Sequence, residues 1–227
     1  MRTPPLSDTG IYEQIVDAIL AHRLPPGMRL TEEKLGQAFG VSRTRIRQVL
    51  VRLASEQLVT LTPNRGAAVA SPTMTEAREV FDARRLVEVP LCEAYMRRAR
   101  AEDHAALAAL IEQERAAHAA GERRSAIRLS GQFHLEMAGR AGNATLEKML
   151  RELVSRTSLI LMAFSPQGAY GCGCTEHHSL LSAMTSGDSA TARRLMRRHL
   201  THIENMLDFT PSTEAENDFG VLLGLQA

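Results

Sequence analysis

Apolar positions return every three or four residues along most of the chain, and strict alternation is brief, so the pattern predicts a mostly α protein. The first periodic stretch runs from about Ile11 to His22, with Ile11, Ile15, Ala18 and Ile19 on one face, and stops at Leu24-Pro25-Pro26-Gly27. Thr31 is placed to cap a second helix, with Glu32 and Glu33 in the first turn and Gly40 at the end. Ser42 is placed to cap a third helix running to about Glu56, whose buried stripe is Ile46, Val49, Leu50 and Leu53. Two helices joined by a three-residue turn predict a helix-turn-helix. Leu58-Val59-Thr60-Leu61, the turn Pro63-Asn64-Arg65-Gly66 and Ala67-Ala68-Val69 then predict a hairpin wing.

After Ser71-Pro72-Thr73-Met74 the chain becomes rich in Ala, Arg, Glu and Leu. Six helices are expected, near 75–99, 102–120, 123–141, 143–163, 173–186 and 188–208. They are punctuated by Gly121, Gly142-Asn143, the stretch from Pro166 to Gly173, and Gly187-Asp188. The expected plan is a winged helix-turn-helix over 1–70, a linker over 71–75, an all-helical bundle over 76–210 and an acidic tail over 211–227.

The length of 227 residues suits one large domain or two ordinary ones. Net charge is +1, so no global field marks a polyanion partner, and residues 1–70 carry nine basic against six acidic groups, too slight an excess to argue DNA binding alone. No apolar run approaches the roughly 18 residues of a membrane span. The first ten residues lack the apolar core of a signal peptide. A cytoplasmic protein without a membrane partner is therefore expected. Cys92, Cys172 and Cys174 form no disulfide framework; Cys92 reads as core, and Cys172-Gly173-Cys174 reads either as a loop with free thiols or as a metal- or oxidant-sensing pair.

Chemistry enters first on the third helix. Arg43, Thr44, Arg45 and Arg47 lie off its buried stripe near the N-terminal end, and Arg65 and Gly66 tip the wing. Guanidinium groups fork to guanine edges or grip phosphates, and a helix N-terminus adds amide donors. On an isolated helix such arginines are more often a solvated face. The ordered sequence of cap, arginines, apolar stripe and glycine-tipped hairpin favours DNA reading. In the second half, His134, His177 and His199 lie on apolar stripes of three helices. One such histidine is more often a satisfied core residue, but three in one bundle fit a metal site of inward side chains. A His-based metalloenzyme and a purely structural helical domain are the rival readings. No acid stands out as a general base; Glu136 and Glu176 are the nearest in sequence.

The segments LPPGMRLTEEKLGQAFGVSRTRIRQVLVRLASEQLV and PNRGAAVA resemble the GntR family of transcription regulators. That resemblance implies DNA contact by Arg43, Thr44, Arg47 and Gly66. Arg45 stands where proline or threonine is usual, which adds a DNA contact, and Gln57 replaces a usual glycine before the wing, which suggests a different turn. ARRLVEVPLCEAYMRRA, FHLEMAGRAGN and EHHSLLSAMTSGDSATARRLMRRHL are similar to the FCD ligand-binding domain of the FadR-type branch. This implies a divalent transition metal, zinc or nickel first, on His134, His177 and His199, with an organic acid beside it. Arg84 falls where a pocket arginine pairs with a carboxylate. Ser130 stands at the usual aspartate position; serine is a poor ligand, which leaves a coordination position for water or effector. The expected whole is a homodimeric repressor that reads an inverted repeat in operator DNA and senses a small organic acid.

Overall fold

The caps anticipated by the sequence set the frame of the first half. A computed structural model describes residues 6–20, 23–63, 65–165 and 173–208. Helix α1 spans Asp8–Leu20, α2 Glu32–Phe39 and α3 Arg43–Ser55. Thr31 caps α2 by accepting from the Lys34 amide (3.3 Å), and Ser42 caps α3 by accepting from the Arg45 amide (3.5 Å). Gly40 ends α2 in the left-handed region at φ 65°. Strands β1 (Arg29–Leu30), β2 (Val59–Thr62) and β3 (Gly66–Val69) form an antiparallel sheet in the order β1-β3-β2. The wing is therefore three-stranded, and β1, only two residues long, left no periodic trace. Gln57 does not reroute the chain into another turn, as its replacement of glycine had suggested. It takes the left-handed conformation itself (φ 58°), with its amide donating to the Ala54 carbonyl and the Leu58 amide to that of Leu53.

Residues 70–73 have neither helix nor strand, and Thr73 then opens a long helix α4 (Met74–Arg98) through a reciprocal capping box with Glu76. Helices α5 (Ala101–Ala119), α6 (Arg123–Arg140), α7 (Ala144–Phe164), α8 (Gly173–Thr185) and α9 (Ser189–Asn205) follow. Each lies within a few residues of its expected position. The tail and Cys172 fall outside the described residues, as does the side chain of Cys174; Cys92 is buried in the core as expected.

Two apolar cores result. One joins α1, α2, α3 and the sheet; the other fills the bundle of α4 to α9. Among the described residues, one buried apolar side chain of the bundle belongs to the core of the DNA-reading half: Leu159 of α7. Removing it opens a cavity shared by both halves. Leu159→Ala should cost about 2–4 kcal/mol, read as a lower urea midpoint. Gln57→Gly should instead raise stability by roughly 1 kcal/mol, because only glycine holds a left-handed backbone without steric penalty.

Candidate metal centre and nucleic-acid interface

Helix α3 buries Ile46, Val49, Leu50 and Leu53, and turns Arg43, Thr44 and Arg47 to solvent. Arg65 and Gly66 are exposed at the wing, where Gly66 holds φ 83°. A cleft of about 600 Å³ lies between α3 and the wing, lined among others by Arg43, Arg47, Val51, Leu61 and Arg65. Each cation of the α3 start has an acidic neighbour. Arg47 makes a two-point contact with Glu32 (2.7 and 2.8 Å), and Arg43 touches Glu33 at 2.9 Å. These side chains are solvent-accessible, so the pairs sit on the surface. Their mutual attraction lowers the Glu32 pKa and raises that of Arg47. Arg45 points elsewhere: its guanidinium donates to Asp8 (2.6 Å) and to the Leu6 carbonyl (2.7 Å), clasping the start of α1.

In the bundle, α6, α8 and α9 bring His134, His177 and His199 together, all buried. Their Nε2 atoms lie 3.1 Å (His177–His199), 3.3 Å (His134–His177) and 3.3 Å (His134–His199) apart. Phe133 stacks on His177 with centroids 4.3 Å apart. Behind each ring stands a carboxylate. His177 Nδ1 donates to Glu114 of α5 (2.7 Å) and His199 Nδ1 to Glu176 of α8 (2.8 Å). His134 Nδ1 lies 2.5 Å from Glu88 of α4, off the hydrogen-bond axis. A carboxylate only accepts, so the two hydrogen bonds put the ring protons of His177 and His199 on Nδ1, and the negative charge of Glu88 beside His134 Nδ1 favours the same tautomer there. Three Nε2 lone pairs then face one another with no proton between them. That arrangement repels itself unless a cation sits among them. Nitrogens at this spacing can share one ion at the usual zinc distance of about 2.0–2.1 Å.

Charge points the same way. Glu88 and Glu114 are buried, Glu176 nearly so, and Arg84 is buried beside Glu88, its Nε donating to Oε1 at 2.5 Å. With the histidines neutral, three carboxylates against one guanidinium leave two negative charges in a largely buried cluster that reaches solvent only beside Glu176. Burying that excess unpaired is costly, and a divalent cation balances it. Burial alone would raise the Glu88 carboxyl, but Arg84 and His134 outweigh it and hold the pKa at about 2. Burial pushes His134 down to about 4 despite Glu88, and pushes His199 well below its ordinary value with the help of the neighbouring imidazoles.

Arg84 also donates from Nη1 to Thr157 Oγ1 of α7 at 3.4 Å, while its Nη2 is buried without a protein partner. Ser130 is buried one helical turn before His134 on α6. Of the acids near in sequence, Glu136 turns to Arg140, whereas Glu176 does meet the cluster and also binds the outer His202 at 3.0 Å. The sequence reading missed Glu88 and Glu114. Each is a charged residue on an otherwise apolar helical stripe, and that was the available signal.

A helix-turn-helix with a wing, carried on a helical bundle built around a buried polar cluster, is the architecture of a DNA-binding regulator. Comparison with known proteins makes this specific. Residues 8–69 match the bacterial regulatory proteins of the gntR family, and residues 79–202 match the FCD domain. The chain belongs to the GntR family, in the branch carrying FCD domains, a family of DNA-binding transcriptional regulators rather than of enzymes. It is 28% identical to the HTH-type regulator YdhC of Bacillus subtilis over 63% of this chain and 64% of that protein, so it spans just under two thirds of that relative's length. It is 26% identical to the transcriptional repressor GlaR of Escherichia coli, over 83% of this chain and 90% of that protein. A solved GntR-type regulator from Rhodococcus sp. RHA1 shares the fold with TM-score 0.79 at 21% identity, covering 97% of this chain and 99% of its own. Among the described residues no helix is long and apolar enough to cross a membrane.

The metal-free protein should be acid-labile in two stages. His134 is depressed from 6.5 to about 4 and His199 well below 6.5, so as pH drops below 6.5 the unfolded chain binds more protons and stability falls. Glu88, depressed from 4.5 to about 2, extends the loss through that lower window. Urea midpoints of chelator-treated protein should fall steadily below pH 6.5, and His134→Asn should flatten the upper part of that slope.

Proposed function

We propose that the protein is a homodimeric repressor whose operator binding is set by a small organic acid held at a divalent metal. The convergence of three Nε2 lone pairs, each ring clamped from behind by a carboxylate, carries this reading. His134, His177 and His199 would hold the ion, zinc or nickel by their imidazole donors. When bound, it supplies a Lewis-acidic position for a carboxylate oxygen. Arg84 Nη2, buried and without a protein partner, is the donor left to meet the other oxygen. Ser130 is near enough to His134 along α6 to line the same space.

Responsiveness is supported by α7. Thr157 touches Arg84 on the sensor side, and Leu159, two residues on, fills the core of the DNA-reading half. One helix thus meets both the histidine cluster's arginine and the core behind the DNA-reading helix. On the DNA side, Arg43, Thr44 and Arg47 face the major groove, and Arg65 and Gly66 of the wing approach the backbone. Arg45 secures α1. Two heads related by a two-fold axis would read an inverted repeat. The repressor name of the relative GlaR supports negative control. The site of action is the cytoplasm, where the DNA lies.

Elemental analysis of protein purified without added metal should find about one transition-metal ion per chain. His177→Ala should lose it, and metal content equal to the parent would reject the site. Glu114→Gln should keep the fold but weaken zinc affinity by roughly 10–100-fold, the usual cost of losing a carboxylate behind a metal-bound imidazole. A panel of carboxylic acids should raise the melting temperature of the loaded parent. Arg84→Ala should abolish that rise while retaining the metal.

A further inference from the structure

The ion pair between Glu32 and Arg47 has a geometry that general surface attraction does not explain. Arg47 uses Nε and Nη2 against the two oxygens of one carboxylate, in a planar fork. Arg43 and Glu33 touch at a single point, and Arg45 is turned away toward α1. Glu32 is in the first turn of α2, whose start is fixed by the Thr31 cap, so the carboxylate is held by a rigid element across the turn from α3. The Arg47 side chain remains 69% exposed despite the fork. An exposed pair of this kind adds little to folding stability. Its effect is directional.

A guanidinium has five N–H donors. Glu32 takes Nε–H and one Nη2 hydrogen. What remains is the far edge, Nη1 with the second Nη2 hydrogen, and two parallel donors at that edge match the O6 and N7 acceptors of guanine. We propose that Glu32 is a positioning residue for sequence recognition: it grips one edge of Arg47 so that the opposite edge is presented, already oriented, to a guanine in the major groove. Fixing a long side chain beforehand removes ordering cost from the binding step. The carboxylate also repels phosphates, so Glu32 trades general attraction to duplex DNA for discrimination between sequences. This inference rests on the reading that α3 enters the major groove.

In vitro selection from a randomised duplex library, with the full metal-loaded chain at one fixed salt concentration, tests it. The parent should enrich a motif containing a guanine that Arg47→Ala no longer requires. Glu32→Gln should weaken the preference for that same guanine about tenfold, within the usual range for one bidentate contact, and leave the other positions intact. Binding of Glu32→Gln to a duplex of alternating adenine and thymine should become tighter. Glu32→Asp, which keeps the charge but shortens the reach, should recover the repulsion of that duplex more than the guanine preference. If Arg47→Ala relaxes the guanine and Glu32→Gln does not, the positioning role is overturned while Arg47 stands as a base reader. If Arg47→Ala changes no position of the motif, or the parent enriches none, the docking of α3 is wrong and the proposal falls with it.

Discussion

The contact on which the bundle depends is the imidazole–carboxylate clasp, made three times around one point. His134 of α6 meets Glu88 of α4, His177 of α8 meets Glu114 of α5, and His199 of α9 meets Glu176 of α8. These clasps tie five helices to a common centre. They also fix which ring nitrogen carries the proton and therefore which faces inward. An apolar core of the same size would hold the helices together without aiming three lone pairs at each other. The arrangement accepts a dense accumulation of buried charge, and Arg84 offsets only part of it.

The DNA-reading half is organised by a different constraint, the conflict between a basic surface and a nearly neutral chain. With a net charge of +1, the protein does not rely on a broad positive field to find DNA. Its recognition helix carries arginines, and the adjoining helix starts place an acid against them: Glu33 on Arg43, Glu32 on Arg47, Asp8 on Arg45. Nonspecific attraction is thereby lowered, and the two-point contact with Glu32 sets the orientation of Arg47.

Most of the architecture was legible in the sequence because the signals were local. Caps at Thr31 and Ser42, the glycine at the end of α2, and the apolar stripe of α3 each act within a few residues. The three histidines were legible too, since they interrupt apolar stripes at helical spacing. What could not be read was pairing across helices. Glu88 and Glu114 are far along the chain from the histidines they serve, and Glu176, next to His177, serves His199 instead. The place of Arg45 on α3 was legible, but its pairing with Asp8, 37 residues away, was not. Gln57 looked like a change of turn, yet the surrounding hydrogen bonds hold the backbone in the form glycine would choose.

Leu159 gives the two halves a shared anatomy. A boundary drawn through residues 70–73 separates the chain cleanly by covalent connection but not by packing. A head excised there would carry an oily socket on its surface, lined where the leucine had been. Grafting a foreign head onto this bundle would strand the leucine in water unless the newcomer offered a matching hollow. The two modules are thus fitted to each other at this leucine, a match that the joining peptide alone does not supply.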